Sequence, residues 1–409
     1  MHLRFQTAGE SHGRGLVALI EGVPAGLPLS MERDVDPELR RRQGGYGRGT
    51  RMKIEQDHAE LLSGVRLGET LGSPISMLIW NRDWQHWEKA MAHEAPGPDV
   101  EEKFLRRVFL PRPGHADLVG LLKYGRTDAR DILERASARE TAARVAVGAV
   151  AKRLLAEFGI TVGSHVVRIG DVEARPPAEL PVDLNAAADA SPVRTLDPEA
   201  ERRMIEAIDA ARAEGDTLGG VAEIVARGVP VGLGSHVDWD RRLDARLAHA
   251  LMSIQAIKGV EIGLGFEAAS RRGSAVHDEI EADPGWRGTE PAGNLSRTGG
   301  YHRLTNNAGG LEGGMTTGAP IVARIAMKPL ASLMRPLRSV DVRTGEPAKA
   351  VRERSDVIAL PAAGIVGEAM VALVLADAML EKFGGDSLQE MRRNFEGCLE
   401  YLRLRRART

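Results

Sequence analysis

The chain is 409 residues long, 43% hydrophobic and 27% charged, with a formal net charge of −2. That length supports a large core in one big domain or two to three smaller ones, and a charge so near zero argues against nonspecific nucleic-acid binding. The lone cysteine, Cys398, excludes an internal disulfide and a multi-cysteine metal site, and no metal is expected. No apolar run approaches the ~20 residues of a membrane span, and Met1-His2-Leu3-Arg4 lacks a signal-peptide pattern, so a cytoplasmic protein is expected. Of the 55 basic residues 46 are arginines, whose planar forks suit carboxylates and phosphates. Where they fall therefore matters more than their sum.

Leu3–Thr7 alternates like a short strand and Leu16–Ile20 reads as a buried one. Between them, Gly9-Glu10-Ser11-His12-Gly13 is a loop on which a hydroxyl, an imidazole and a carboxylate can donate, accept or carry a proton. It reads either as a glycine-rich turn with a satisfied histidine or as a site presented by two strands. Gly22-Val23-Pro24-Ala25-Gly26-Leu27 is a turn, and Pro37–Arg42 a short helix with proline in its first turn. That helix runs into the flexible, cationic stretch from Arg40 to Arg51, which is either a solvated loop or a backbone packed against an anion. Residues 52–80 hold strands and turns. Residues 81–108, with Trp80, Trp84 and Trp87 close together, read as an irregular excursion that packs on the body or on another subunit.

In Pro111-Arg112-Pro113-Gly114-His115-Ala116-Asp117 the prolines stiffen the backbone around His115. Ser137 and Glu140 have capping-box spacing at the start of a helix whose apolar face is Ala142, Val145, Ala146, Ala149, Val150 and Leu154. Arg135 and Arg139 beside that helix start make an anion site. After a strand at Val162–Ile169 and a helix from Pro198 to Arg212, the chain starts again near residue 215. Val221–Ala226 is a strand, and Gly228-Val229-Pro230-Val231-Gly232-Leu233 echoes the Gly22 turn. A helix at Leu243–Met252 enters Gln255-Ala256-Ile257-Lys258, and a strand at Ile321–Ala326 follows the glycine-rich residues 306–315. Arg354-Ser355-Asp356 precedes a long apolar helix, Val366–Phe383. The expected organisation is one domain over 1–409 with two pseudo-symmetric halves, roughly 1–214 and 215–385. A C-terminal helix and a frayed basic tail fill 386–409. Residues 281–303 read as a mobile lid.

Taken together and in this order, these motifs resemble the chorismate synthase family from residue 3 to about 385. They are Gly9–Gly13, the Gly22 turn, Arg-Gln-Gly-Gly-Tyr-Gly-Arg-Gly at 42–49, Arg-Pro-Gly-His-Ala-Asp at 112–117, Arg-Ala-Ser-Ala-Arg-Glu at 135–140, Gln255-Ala256, Gly-Gly-Leu-Glu-Gly-Gly at 309–314 and Arg354-Ser355-Asp356. Thr317 stands where the family pattern has asparagine, and the 281–303 segment looks longer than usual. The resemblance implies an α+β fold, a β-α-β sandwich with helices between antiparallel sheets, assembled as a homotetramer. It implies a lyase that eliminates phosphate 1,4-anti from 5-enolpyruvylshikimate 3-phosphate with reduced FMN, the last step of the shikimate pathway. An external flavin reductase is an allowed partner.

By the same resemblance His12 protonates the departing phosphate and His115 sits against the reduced flavin. Asp356, with Ser11, helps flavin N5 take up the C6 proton. Arg135, Ala136, Ser137, Gln255, Ala256, Gly313, Lys328, Pro329, Leu330, Ala331, Ser332 and Arg354 match FMN-contacting segments. A substrate with two carboxylates and a phosphate requires an arginine-lined pocket, and Arg42, Arg48, Arg112 and Arg139 are the candidates, for substrate or NADP. A flavin enzyme passing hydride from NADPH would use the same residues, but no Rossmann fingerprint is present. A noncatalytic polyanion-binding module would leave His12 and His115 unexplained.

Overall fold

Two sheets make the outer layers of this protein: the central strands of the first bury every second residue, whereas Thr161–Ile169 and Gly220–Arg227 in the second bury continuous runs. The structure, a computed structural model, describes residues 2–49, 56–283, 297–353 and 356–405. The first sheet is antiparallel, in the spatial order Arg4–Ala8, Gly15–Glu21, Ile75–Trp80, Glu60–Ser63. Its inward residues include Leu16, Ala18, Ile20, Ile75, Met77 and Ile79, each fully buried, as expected for a sheet with one covered face. The second sheet, also antiparallel, runs Ile257–Ile262, Ile321–Met327, Gly220–Arg227, Thr161–Ile169, Val172–Glu173.

Between the sheets lie the helices. Thr141–Ala156 packs on the first sheet and Leu360–Phe383 on the second, and the two pack on each other. Asp36–Gln43 and Leu243–Met252 flank them. This is the expected β-α-β sandwich. The two core helices meet backbone to backbone: a side chain on Gly148 would lie 2.3 Å from the Ala369 Cβ and 2.7 Å from its Cα. Only glycine allows that approach.

Leu360–Phe383 corrects the reading that no apolar run is long enough to span a membrane. It has 24 residues, a mean hydropathy of 1.9 over its most apolar window, and 89% of that window buried. Its physical reason is position: a helix covered by a sheet on one side and a helix on the other is apolar all round. Two other expectations also change. Ser137 accepts from the Arg139 N–H at 3.2 Å, and a 3-10 turn, Ala138–Glu140, precedes the helix. The buried Glu140 carboxylate accepts from Thr7, Arg144 and Gln255 instead, so no capping box forms. The glycine-rich stretch after Arg42 is tied down: Tyr46 N–H donates to Pro192 O at 2.7 Å and Val357 N–H to Gly47 O at 2.9 Å.

The two sheets repeat one device. Thr70 Oγ1 donates to Pro24 O at 2.6 Å and accepts from the Leu27 N–H at 2.9 Å. Thr316 Oγ1 does the same with Pro230 O at 2.6 Å and the Leu233 N–H at 2.8 Å. Ile20 pairs with Ile75 in one sheet as Ala226 pairs with Ile321 in the other. The second sheet begins at Thr161, ahead of residue 215. Ile280–Ala282 and Tyr301–Arg303 pair antiparallel, while the centre of the expected lid, 284–296, lies outside the described residues. The C-terminal helix is Leu388–Arg405, and the end of the expected frayed tail also lies outside them.

One carboxylate is fully buried in the middle of the Leu360–Phe383 helix. Glu368 accepts from Arg41 at 2.9 and 3.1 Å, Lys152 at 2.5 Å, Arg194 at 3.2 Å and Ser164 at 2.5 Å. Burial pushes its carboxyl up, but the charges of Lys152, Arg41 and Arg194 outweigh this and hold it below the usual carboxylate value. A carboxyl lowered by folding contributes stability above its unfolded value, about 4.3, and loses it as pH falls through the folded one. Glu368→Ala, which strands buried cations, is expected to cost about 3–5 kcal/mol in denaturant unfolding at pH 7. Glu368→Gln is expected to flatten the fall in stability below about pH 4.3. An unchanged acid limb in that variant would remove Glu368 from the acid response.

Candidate active site

The loop between the first two strands is closed by Gly9, at φ +102°, where any side chain would sit 2.3 Å from Gly15 O. Its tip is held from several elements. Ser11 N–H donates to Glu134 O at 3.0 Å, and Ser137 Oγ donates to Ser11 Oγ at 3.2 Å. Asn81 Nδ2 donates to Gly13 O at 2.7 Å and Glu10 O at 3.2 Å. His12 is fixed by Glu134, whose carboxylate takes the His12 N–H at 2.8 Å and lies 2.9 and 3.0 Å from ring Nδ1. The His12 ring also stacks on Trp87, centroids 3.8 Å apart at 24°. Burial pushes the Glu134 carboxyl up, but the hydrogen bond and charge of His12, its amide and Arg130 hold it below its ordinary value.

Beside this loop three arginines converge. Arg139 donates to Asn81 Oδ1 at 2.9 Å and to Asp57 at 2.6 and 2.8 Å. Arg42 donates to Thr141 Oγ1 and Ala138 O, both at 2.9 Å, and lies 3.4 Å from Asp57. Arg48 pairs with Asp356 at 2.8 Å, and the Gly49 N–H donates to the other Asp356 oxygen at 2.6 Å. Burial pulls the Arg42 guanidinium down to about 10; Asp57 opposes this, while Arg139 and Arg48 add to it. Three guanidinium groups against two carboxylates form a cluster suited to an anion.

The Pro111–Asp117 loop forms a second histidine site. His115 Nδ1 lies 2.5 Å from Asp117 Oδ1, and Arg112 grips the same carboxylate at 2.9 and 3.2 Å. Burial pushes Asp117 up, but hydrogen bonds from His115 and Arg112 hold it well below the usual carboxylate range. Arg112 also donates to Ser332 Oγ at 2.7 Å and Lys328 Nζ to Gly114 O, joining this loop to residues 328–332. The Lys328 N–H in turn donates to Ala256 O at 3.0 Å, and Thr217 Oγ1 to Leu330 O at 2.8 Å. Ala256 itself holds a left-handed φ of +66°.

A cavity of about 470 Å³ opens against the edge of the first sheet, lined by Thr7, Arg135, Glu140, Arg144, Ser253 and Gln255 among others. Gln255 donates to Glu140 at 2.9 Å, while its buried Oε1 has no partner among the described residues. Arg135 donates to Thr7 O at 2.7 Å and Gly9 O at 3.2 Å. The structure thus brings together most of the residues expected from the sequence. Gly313 stays within its own hairpin, where a side chain added to it would meet only the Met315 methyl, at 3.8 Å, and Arg354 lies outside the described residues.

Sequence reasoning passed over Glu134, Asn81, Asp57 and Trp87. Glu134 directly precedes the Arg135-Ala136-Ser137 motif, which was a signal for it. Nothing local marks Asp57 or Asn81, which reach the site only through folding.

Comparison with known proteins places the whole chain. The family profile for chorismate synthase matches residues 3–380. The chorismate synthase of Geobacter sulfurreducens is 60% identical over 401 residues, covering 98% of this chain and 99% of that protein. That of Aquifex aeolicus is 56% identical over 412 residues, covering 98% of each. A crystal structure of a chorismate synthase superposes with a TM-score of 0.76 at 47% identity, covering 98% of this chain and 99% of that one. With a profile match over nearly its whole length and relatives this similar, the chain belongs to the chorismate synthase family.

Proposed function

We propose that this protein is a lyase that eliminates phosphate from 5-enolpyruvylshikimate 3-phosphate in the 1,4-anti sense, giving chorismate with the help of reduced FMN. The observation that carries this reading is the convergence of Arg42, Arg48 and Arg139 beside the Ser11-His12 loop. A substrate with two carboxylates and a phosphate needs such a cluster, with a proton donor next to it.

The residues present fit a flavin. The cavity falls in the size range of cofactor sites. The unpartnered Gln255 oxygen asks for an N–H donor, which a flavin ring offers, and Arg135 brings a guanidinium to the same wall. Arg135, Ala136, Ser137, Gln255, Ala256, Lys328, Pro329, Leu330, Ala331 and Ser332 would hold it, with Gly313 and Arg354 assigned on family resemblance alone. Reduced FMN supplies the electron-rich partner that eases loss of phosphate from the ring.

The chain's own residues bind and move protons. Arg42, Arg48, Arg139 and Arg112 hold the anionic groups. With Nδ1 at Glu134, His12 uses Nε2 to protonate the departing phosphate oxygen. His115, oriented by Asp117 through Nδ1, presents its Nε2 toward the cofactor. Asp356, with Ser11 assisting, is the base that ends with the proton lost from C6. It forms an ion pair with Arg48 and caps no helix, since the following helix starts at Leu360 with Ala359 at its cap. The apolar residues Val17, Leu62 and Trp80, exposed on or beside the first sheet, support assembly with further copies as a homotetramer. The protein is read as cytoplasmic.

Four experiments test this. Under anaerobic conditions, protein with chemically reduced FMN and the substrate is expected to release phosphate and chorismate together. Equal turnover with oxidised FMN, or with none, would end the proposal. His12→Ala and His115→Ala are each expected to lose about 10²–10⁴ in kcat while remaining folded. Asp356→Asn should fall steeply with FMN binding retained. A folded variant at near-normal rate removes that residue from its role. Light scattering should give a tetramer, and a monodisperse monomer at micromolar concentration would contradict the assembly.

A further inference from the structure

His12 is gripped more firmly than a proton donor on a glycine loop would otherwise be. A single carboxylate, Glu134, holds both its main-chain N–H, at 2.8 Å, and its ring Nδ1, at 2.9 and 3.0 Å. Trp87 fixes the plane of the ring by stacking at 3.8 Å. Both holders are themselves held. Glu134, 2% exposed, accepts from Arg130 at 3.0 Å, and Arg130 reaches Glu353 at 3.0 Å and Arg106 O at 3.1 Å. The Trp87 Nε1–H donates to Asp83 at 3.0 Å, and the Arg106 guanidinium lies 4.0 Å from the indole centre.

We propose that Glu134 and Trp87 are positioning residues for the elimination: Glu134 keeps His12 Nδ1 protonated and Trp87 sets the ring plane, so that His12 donates from Nε2 along one direction. This deepens the proposed function and rests on His12 being the proton donor. The physical case is that an imidazole has two rotations and two nitrogens to specify. A carboxylate at one nitrogen selects the tautomer and one rotation. A stacked aromatic face selects the other. Before transfer both ring nitrogens carry protons; the N–H bond at Nε2 breaks, an O–H bond forms on the phosphate leaving group, and the neutral ring keeps its Nδ1 proton on Glu134. Trp87 lies in the segment 81–108, whose aromatic cluster reads from sequence as packing alone.

The test is a double-variant cycle with the full chain, reduced FMN and 5-enolpyruvylshikimate 3-phosphate. Glu134→Gln keeps the shape and removes the charge. It is expected to lower kcat about tenfold or more, with KM, FMN affinity and melting temperature close to the parent. Added to His12→Ala, it is expected to do nothing further, because its whole effect passes through that ring. Trp87→Leu should lower kcat as well, and Trp87→Phe should recover part of the loss. A normal kcat in Glu134→Gln, or a double variant clearly slower than His12→Ala, overturns the proposal. If Glu134→Gln does not fold, Glu134→Asp and Trp87→Leu take its place in the cycle with His12→Ala. A normal kcat in both, or a further loss when either is added to His12→Ala, then overturns the proposal in the same way. Normal turnover in His12→Ala itself would instead overturn the assignment of His12, which separates the two failures.

Discussion

A single buried carboxylate sets the geometry on which the rest depends. Glu368 sits in the middle of the Leu360–Phe383 helix and draws in Arg41, Lys152, Arg194 and Ser164, and so ties that helix to three helices or loops and to the second sheet. Arg41 and Arg42 are neighbours on one short helix. Pinning Arg41 to the core, where Glu38 also binds it at 2.9 and 3.0 Å, turns Arg42 toward Asp57 and Thr141. The basic loop that follows is then placed so that Arg48 and Gly49 meet Asp356. An ion network usually costs as much in desolvation as it returns. Here its yield is orientation, because burying Arg41 decides which way the next residue faces.

The close contact of Gly148 with Ala369 works alongside it. It brings the start of the Thr141–Ala156 helix, where Ser137, Arg139 and Thr141 gather, near the Leu360–Phe383 helix. The candidate site is therefore assembled from segments far apart in the chain: Ser11, His12, Arg42 and Arg139 on one side, and Asp356 and the 328–332 segment on the other. The threonine device at Thr70 and Thr316 stiffens one turn beside each sheet.

Both histidines show the same arrangement. Each has a buried carboxylate at Nδ1, Glu134 for His12 and Asp117 for His115, and each carboxylate is held by an arginine, Arg130 or Arg112. A charge this deep is tolerable only when paired. The two pairs fix both rings through Nδ1, and this parallel comes from elements unrelated in sequence.

Much was legible in the sequence. Alternation marked the strand Leu3–Thr7, an apolar run marked Leu16–Ile20, and the helix Leu243–Met252 was placed to the residue, because apolar patterning records which face a segment buries. The motifs around His12, His115 and Asp356 pointed to the family and to most of the site. The capping box at Ser137 failed because Glu140 found better partners, Arg144 one turn along the helix and Thr7 and Gln255 far off in the chain. The core helix was legible from Val366 on, but its first turns, from Leu360, and the buried cations around Glu368 were not. Asn81 and Asp57 carry no local mark at all, and Glu134 and Trp87 stood beside marked residues without showing which ring they face. A side chain's partners across the chain depend on how sheets and helices stack, so the sequence by itself determined the elements and the chemistry on offer, and the tertiary structure decided which carboxylate faces which ring.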